Sequence, residues 1–286
     1  IHVCAQHAVA VILINGRLSE KSYRGYRRWP SLILPMLQKV DWFALQSPSH
    51  EARFADLGVI HSRMTVTGSI KYDQHLPEDL EDRKAQLSGL FRGRRILMAA
   101  STHPGEEQLL LDVYQALKPE IPELVLVLAP RHIQRSASIE KLVVQNKLGL
   151  ASFSRQDRLT TDQDVYLLDA MGELVYFYAV SEIAFVGGSM IPRGGHNFME
   201  AALAGTAIVC GDSLYNFEAI AEQFQAVDAM VTVENSDQLL METRALLLDP
   251  DRRSNMQAIG LETVLKHRGA LELVESELKN RLQSGF

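Results

Sequence analysis

The segment IAFVGGSMIPRGGHNFMEAALA, residues 183–204, contains the pattern that decides the fold. An apolar run predicts a buried strand over 183–188, a glycine-rich loop follows, and the remainder predicts a helix over 197–204. Parallel strands need a crossover of this kind, usually a helix, to return to the same edge of the sheet. The segment therefore predicts an α/β fold with its loop at the carboxyl edge of a parallel sheet, where such folds bind ligands.

Similar apolar runs, separated by helix-length segments, occur along the rest of the chain. Before the polar stretch at 74–79 they predict three strands, at 8–15, 42–47 and 64–68. After it they predict six strands, at 95–101, 124–130, 165–169, 183–188, 207–211 and 230–233. Six strands complete a doubly wound sheet, whereas three are too few for a Rossmann sheet that folds alone.

The strand count predicts two Rossmann-like domains, of which the first is incomplete. We place the first domain at 1–76, the second at 77–268, and a C-terminal helix that packs back towards the first domain at 269–286. The chain begins at Ile1 rather than Met and enters a predicted strand soon afterwards. We therefore expect that residues upstream are missing.

Composition excludes several classes of protein. A formal net charge of −6 argues against a general nucleic-acid-binding surface, which would carry a basic excess. Cys4 and Cys210 lie far apart and form neither a disulfide framework nor a zinc-binding CxxC pair, which fits a reducing, cytoplasmic compartment. No apolar run reaches the ~18 residues typical of a membrane span, and no signal peptide is recognisable.

The glycine-rich loop is suited to an anion. Gly194 and Gly195 allow a close backbone approach and positive φ, and the N–H groups at the start of the next helix attract phosphate. Glu200 lies four residues after His196, on the same helical face, where a carboxylate could hold ribose hydroxyls. The alternative is an ordinary glycine turn with Asn197 as a helix cap and a solvated Glu200.

Two further loops follow predicted strands of the second domain. Arg131 and His132 come directly after the apolar run 124–129, and a guanidinium there is suited to bidentate contact with phosphate or carboxylate. Ser101, Thr102 and His103 open the loop 101–107. Two alternatives remain open: Arg131 and His132 could be merely solvated charges, and the residues of the loop 101–107 could simply cap a helix.

The first domain carries a separate basic pattern. Arg17, Lys21, Arg24 and Arg28 are spaced four, three and four residues apart, which predicts one basic stripe on a helix. Such a stripe could contact anionic lipid headgroups or the phosphates of an acidic acceptor, or it could be a merely solvated face.

In combination these motifs resemble the Kdo (3-deoxy-D-manno-octulosonate) transferases of bacterial lipopolysaccharide assembly. The resemblance runs in register over essentially the whole chain, and its ordered motifs are NGRLSEKS at 15–22, GSIKYD at 68–73, STHPGEE at 101–107, PRH at 130–132, DAMGEL at 169–174 and GGHN at 194–197. Several ordered motifs are more specific than any one of them.

The resemblance implies a GT-B enzyme that transfers Kdo from CMP-Kdo to a lipid A precursor at the cytoplasmic face of the inner membrane, with inversion and without a metal or other cofactor. Its partners would be the CMP-sugar donor, an acidic glycolipid acceptor and the membrane surface, to which this chain would be peripheral, and it would bind no nucleic acid. The residues that would serve the donor are Arg131 and His132 for CMP, Gly194, Gly195, His196 and Asn197 for the phosphate, Glu200 for the ribose, and Ser101, Thr102 and His103 along the donor cleft. Those facing the cleft or acceptor from the first domain would be Arg17, Ser19, Ser22 and Lys71.

Two departures from the family pattern matter. The helix after the glycine turn lacks the proline that the family usually has, although Glu200 is kept. The carboxylate expected to act as general base would lie upstream of Ile1, so the resemblance supplies no catalytic base within this chain. The alternatives are another GT-B nucleotide-sugar enzyme, such as a UDP-sugar transferase or epimerase, and a non-catalytic nucleotide-binding module.

Overall fold

The computed structural model describes residues 1–284 and divides the chain into two compact units. Unit 1 comprises Ile1–Gln74 and the chain from Leu265 onward, and unit 2 comprises His75–Val264. The limits predicted from sequence, at residues 76 and 268, are close to these boundaries. The last two residues of the predicted C-terminal helix, 285 and 286, lie outside the described residues.

Helices and strands alternate along most of the chain. The strands are β1 Ile12–Gly16, β2 Trp42–Leu45, β3 Met64–Val66, β4 Arg95–Thr102, β5 Leu124–Pro130, β6 Leu150–Ser152, β7 Val165–Leu167, β8 Ile183–Val186, β9 Ala207–Gly211 and β10 Val231–Val233. The α-helices are α1 His2–Gln6, α2 Glu20–Tyr26, α3 Pro30–Leu37, α4 Pro48–Asp56, α5 Leu80–Phe91, α6 Glu106–Leu117, α7 Ser136–Gln145, α8 Leu174–Tyr178, α9 Met199–Leu203, α10 Glu218–Gln225, α11 Ser236–Leu248, α12 Pro250–Lys266 and α13 Ala270–Ser284.

Unit 2 contains a seven-stranded parallel sheet in the order β10-β9-β8-β4-β5-β7-β6. The prediction of six strands is therefore wrong by one, because β6 was missed. β6 has only three residues and a polar end at Ser152, so its sequence lacks a recognisable apolar run. Its pairing with β7, for example Leu150 opposite Val165, identifies it as a strand.

The central strands of this sheet are buried on both faces. All seven residues of β5 and all four of β8 are buried, and Leu97, Leu126 and Phe185 belong to one hydrophobic cluster. Continuous apolar strands are typical of parallel sheets covered by helices. Burying each such side chain contributes about 1.5–3 kcal/mol, so the sheet is a rigid support for the loops at its carboxyl edge.

Unit 1 contains a three-stranded parallel sheet in the order β1-β2-β3, and helix α13 belongs to the same unit. Val274 of α13 packs with Trp42 and Ala44 of β2. The carboxylate of Asp73 accepts hydrogen bonds from the backbone N–H groups of Gly269 and Leu271, both at 2.6 Å. These contacts explain why a helix so distant in sequence joins the first sheet.

The predicted basic stripe is not formed by one helix. Helix α2 includes Lys21 and Arg24 but neither Arg17 nor Arg28. The Ser19 hydroxyl accepts a hydrogen bond from the backbone N–H of Ser22 at 3.2 Å and caps the start of α2, so Arg17 precedes the helix.

No helix within residues 1–284 has the length and apolar character needed to cross a membrane.

Gly211, the last residue of β9, provides a test of the packing of unit 2. A Cβ at this position would lie 2.2 Å from the carbonyl oxygen of Ser189, which is backbone and cannot move cheaply. Gly211→Ala should therefore lower the free energy of unfolding by about 1–3 kcal/mol or more. The matched control is Gly89→Ala in helix α5, where nothing lies within 4 Å of the added methyl group. Urea denaturation should show the control unchanged or stabilised by about 0.5–1 kcal/mol, and equal effects of the two substitutions would contradict the packing.

Candidate functional site

Three loops meet at the carboxyl edge of the unit 2 sheet. Strands β8, β4 and β5 are neighbours in that order, so the segments that follow them emerge side by side. These segments, with the end of β4 and the start of α9, contain ten predicted donor-binding residues, namely Ser101, Thr102, His103, Arg131, His132, Gly194, Gly195, His196, Asn197 and Glu200. The topology therefore brings separate sequence motifs to one edge of the sheet.

The end of β4 is distorted where it enters the first loop. Ser101 has a φ of 54°, and the pairing register of β4 with β5 shifts between Ala100 and Thr102. A non-glycine residue in this conformation is uncommon and costs about 1–3 kcal/mol. The side-chain oxygen of Thr102 is buried and has no hydrogen-bond partner within the described part of the chain. Backbone strain of this kind tends to occur at functional sites.

A cavity of about 270 Å³ opens beside this distorted strand end. Ser101, Arg131 and His132 line it, as predicted for one site. The other lining residues come from the end of β5 and from the segment after β7; they are Ala129, Pro130, Ile133, Gln134, Leu168, Ala170, Met171, Gly172 and Leu174. The cavity thus combines an apolar lining with a guanidinium and an imidazole, a combination typical of small-ligand pockets.

Two predicted histidines are in direct contact. The Nε2 atoms of His103 and His196 are 2.8 Å apart, and the planes of the two rings are nearly parallel, with an angle of 9° between them. The centre of the His132 ring lies 6.0 Å from the centre of the His103 ring, and the two rings are almost perpendicular. Burial lowers the pKa of His196 to about 4, with further lowering by His103, Arg131 and His132. Burial also lowers the pKa of His103, against the opposing effect of the Glu106 carboxylate.

The buried carboxylate of Glu106 connects the loop after β4 with the loop after β8. Its Oε2 accepts hydrogen bonds from the backbone N–H groups of His103 and Gly188, both at 2.9 Å. Its Oε1 accepts from those of Ser189 at 3.2 Å and Met190 at 3.1 Å. Sequence analysis included Glu106 only as part of the loop 101–107 and gave it no role of its own. One signal could have identified its role: Glu106 follows β4, and the glycine-rich loop follows β8, the strand next to β4 in the sheet.

The glycine turn itself differs from the prediction of bare amides aimed at a phosphate. Gly194 and Gly195 do have positive φ, 82° and 71°. However, the N–H of Gly194 donates to the Ser213 hydroxyl at 3.3 Å, and that of Gly195 donates to the Gly188 carbonyl at 2.8 Å. These two amides are occupied by the protein, so the prediction is wrong for them.

The helix after this turn is shorter than predicted. It begins at Met199 rather than at residue 197 and has only five residues, which limits the dipole at its start. Asn197 precedes it; its Oδ1 accepts from the Met199 N–H at 3.2 Å and its Nδ2 donates to Glu200 at 2.9 Å. Burial raises the pKa of Glu200 against the opposing hydrogen bond from Asn197. Glu200 is therefore a held, partly buried carboxylate rather than a solvated one.

An ion pair that sequence analysis missed supports the second loop. The guanidinium of Arg135 donates to both oxygens of the buried Glu107 carboxylate, at 2.7 and 3.1 Å. A bidentate pair fixes the direction of the guanidinium plane as well as its position. Arg135 therefore adds a fixed positive charge beside His103, whose pKa it helps to lower.

The predicted residues of the first domain lie in unit 1. Ser19 and Ser22 are hydrogen-bonded to each other at the start of α2, with their hydroxyl oxygens 3.1 Å apart. Burial lowers the pKa of Lys71, and the positive charge of Arg17 lowers it further. Arg17 and Lys71 thus form a local concentration of positive charge. The roles predicted for these four residues stay predictions.

Within the described residues 1–284, no group of three or more His, Cys, Asp or Glu side chains could hold a metal ion. Independence from metals remains a prediction.

The chain is similar in sequence to Kdo transferases. Residues 1–74 match the family described as 3-deoxy-D-manno-octulosonic-acid transferase (Kdo transferase). The 3-deoxy-D-manno-octulosonic acid transferase of Haemophilus influenzae is 31% identical over 285 residues, which cover 99% of this chain and 67% of the relative. The bifunctional glycosyltransferase/methyltransferase of Fusobacterium nucleatum is 30% identical, over 94% of this chain and 43% of its own length. The chain thus spans between 43% and 67% of the length of these two relatives.

Solved structures show the same fold. The C-terminal CMP-Kdo binding domain of WaaA from Acinetobacter baumannii superposes with a TM-score of 0.63 and 29% identity, over 66% of this chain and 99% of that domain. Anabaena HepE, in complex with UDP and glucose, superposes with a TM-score of 0.56 and 13% identity, over 99% of this chain and 73% of its own. The match to HepE concerns the fold alone. Together the matches show a fold of the GT-B type.

The low pKa of His196 predicts a dependence of stability on pH. An unperturbed histidine has a pKa of 6.5, whereas His196 in the folded chain has a pKa of about 4. Between these values the unfolded chain binds a proton that the folded chain does not, so the free energy of unfolding should fall as the pH is lowered from about 6.5 towards about 4. An NMR titration of the His196 ring should give a midpoint well below 6.5. A midpoint at or above 6.5 would contradict the environment described for this ring.

The four hydrogen bonds to Glu106 predict a large cost for its removal. Glu106→Ala should lower the free energy of unfolding by about 3 kcal/mol or more, because several buried N–H groups lose a charged acceptor. Glu106→Gln should cost less, since the amide oxygen can still accept some of these bonds. Glu81→Ala, at an exposed position of helix α5, is the control and should change stability by less than about 0.5 kcal/mol. Urea denaturation measures all three, and a loss below about 1 kcal/mol for Glu106→Ala would show that the carboxylate is dispensable.

Proposed function

Because this chain belongs to the family of 3-deoxy-D-manno-octulosonic acid (Kdo) transferases, we propose that it provides the donor site of an enzyme that transfers Kdo from CMP-Kdo to a lipid A precursor. In this proposal the transfer inverts the anomeric configuration and needs no metal. The acceptor is an acidic glycolipid, and the enzyme works at the cytoplasmic face of the bacterial inner membrane.

One observation in unit 2 supports the proposed donor site above the others. Arg131 and His132 line the cavity together with Ser101, and their charges act on the adjacent ring of His196. A nucleotide needs an apolar recess for its base and positive groups for its phosphate, and both are present at this edge of the sheet. The similar domain of WaaA is a CMP-Kdo binding domain, which supports this assignment.

The proposed chemistry of unit 2 is stabilisation of the leaving group. When the bond between the sugar and the phosphate breaks, the phosphate of CMP gains negative charge. Arg131 and the imidazoles of His103 and His196 then supply positive charge or hydrogen bonds without rearranging, which is the condition for effective electrostatic catalysis. One such preorganised donor typically contributes about 3–4 kcal/mol. Glu200, held by Asn197, is proposed to accept hydrogen bonds from the ribose.

A second candidate function is transfer or epimerisation of a UDP-sugar. The likeness to HepE, whose structure contains UDP and glucose, supports this candidate on fold alone. The two candidates differ in the base that the cavity must accept. Calorimetric titration with CMP and with UDP distinguishes them, since the proposed function requires tighter binding of CMP. A turnover assay with CMP-Kdo and a lipid A precursor distinguishes an enzyme from a module that only binds nucleotide.

Arg131 provides the most direct mutational test of the donor site. Arg131→Ala should weaken binding of CMP by about 10- to 100-fold, because a charge-assisted hydrogen bond to phosphate contributes about 1.5–3 kcal/mol. Arg131 is exposed, so the substitution should leave the fold intact. The matched control is Arg244→Ala, which removes an exposed arginine paired with Glu120 elsewhere in the unit. Isothermal titration calorimetry should show an unchanged affinity for the control, and an unchanged affinity in Arg131→Ala would remove Arg131 from the site.

A further inference from the structure

The contact between His103 and His196 requires a proton between the two rings. At 2.8 Å the Nε2 atoms are within hydrogen-bond distance, so one must donate and the other must accept. With two neutral rings, one imidazole carries its hydrogen on Nε2 and the other carries it on Nδ1. Protonation of the donating ring at its free Nδ1 would leave this contact intact and give the pair one positive charge. The pair can therefore exist in a neutral form and a cationic form with the same geometry.

The surroundings of the pair favour the neutral form when no ligand is bound. Positive charge faces it from several segments, with Arg131 and His132 from the end of β5, Arg135 from the turn that follows, and Arg193 from the glycine-rich loop. Negative charge faces it from Glu106 on helix α6, whose carboxylate already accepts four backbone hydrogen bonds. Three guanidiniums against one carboxylate, together with partial burial, disfavour an added positive charge.

We infer that the His103–His196 pair takes up one proton from solvent when the phosphate of a nucleotide binds, and thereby becomes a cation only in the presence of the anion. This inference rests on the proposed function, because it takes the ligand to be a cytidine nucleotide. A bound phosphate reverses the balance of charge around the pair, since an opposite charge within ~4–6 Å favours the charged form of a titratable group. The pair thus differs from Arg131, which is charged at all times.

Proton uptake matches the charge change of the transfer reaction. As the bond from the sugar to the phosphate breaks, its electron pair stays on the phosphate oxygen, and CMP leaves with one more negative charge than it had in the donor. The proton that has entered from solvent and is held by the pair compensates this charge. When CMP dissociates, the pair returns the proton to solvent. Binding of CMP should therefore weaken as the pH rises through the neutral range.

The test is isothermal titration of the chain with CMP at pH 7, in two buffers of different ionisation enthalpy. The difference in apparent binding enthalpy gives the number of protons exchanged. CMP exchanges protons of its own, because the second pKa of a phosphate monoester is about 6, and the difference between the parent chain and a variant removes this contribution. We expect the parent chain to take up on the order of one proton more than His103→Asn or His196→Asn. The control His75→Asn, an exposed histidine outside the cluster, should behave like the parent chain.

The possible outcomes are distinct. Binding of CMP with the same proton exchange in the parent chain and in both variants overturns the inference and leaves the proposed function standing. Loss of the uptake in His132→Asn alone also overturns it, because the proton would then belong to His132. If the parent chain binds no CMP, the proposed donor site fails, and NMR of the imidazoles with inorganic phosphate decides the inference. Uptake of one proton by the His103–His196 pair on adding phosphate supports it, and unchanged ring signals overturn it.

Discussion

The geometry of the site depends on four hydrogen bonds that the carboxylate of Glu106 accepts. Glu106 lies on the first turn of helix α6 and accepts hydrogen bonds from His103 in one loop and from Gly188, Ser189 and Met190 in another. These bonds hold the two loops together and set the backbone positions from which His103 and His196 meet. Gly187 reflects the closeness of this arrangement, because a Cβ there would lie 2.9 Å from Oε2 of Glu106.

This arrangement changes the account of how unit 2 would hold a phosphate. Glycine-rich loops of α/β folds commonly present free backbone amides to an anion. In this chain the amides of the loop after β8 are largely taken by Glu106 and by internal acceptors, so side chains must supply the positive groups. Arg131, His132, His103 and His196 are among the side chains at the same edge that can supply them. A site built from side chains that titrate responds to pH, whereas one built from backbone amides does not.

Sequence patterns predicted most of the fold where apolar runs were long. The bounds of β5 and β9 agree with the prediction, since both strands are buried on each side and end at abrupt changes of composition. β1 begins at Ile12 rather than at residue 8, where Ala8 has a positive φ and turns the chain. β6 was missed because three residues carry too little periodicity. The contribution of α13 to unit 1 depends on Asp73 and Trp42, distant contacts that a local pattern cannot specify.

The candidate site was predictable as far as residue types and strand ends determine it. Arg131, His132 and Ser101 share a cavity because adjacent parallel strands deliver them to one edge, which follows from strand order. The contact between the histidines and the role of Glu106 depend on side-chain directions set by tertiary packing. The most direct test of the account is a crystal structure of the chain with CMP. It should show the phosphate within hydrogen-bond distance of Arg131 and of the His103–His196 pair, with the base in the cavity beside Met171. CMP bound elsewhere on unit 2, or with its phosphate away from these side chains, would contradict the account.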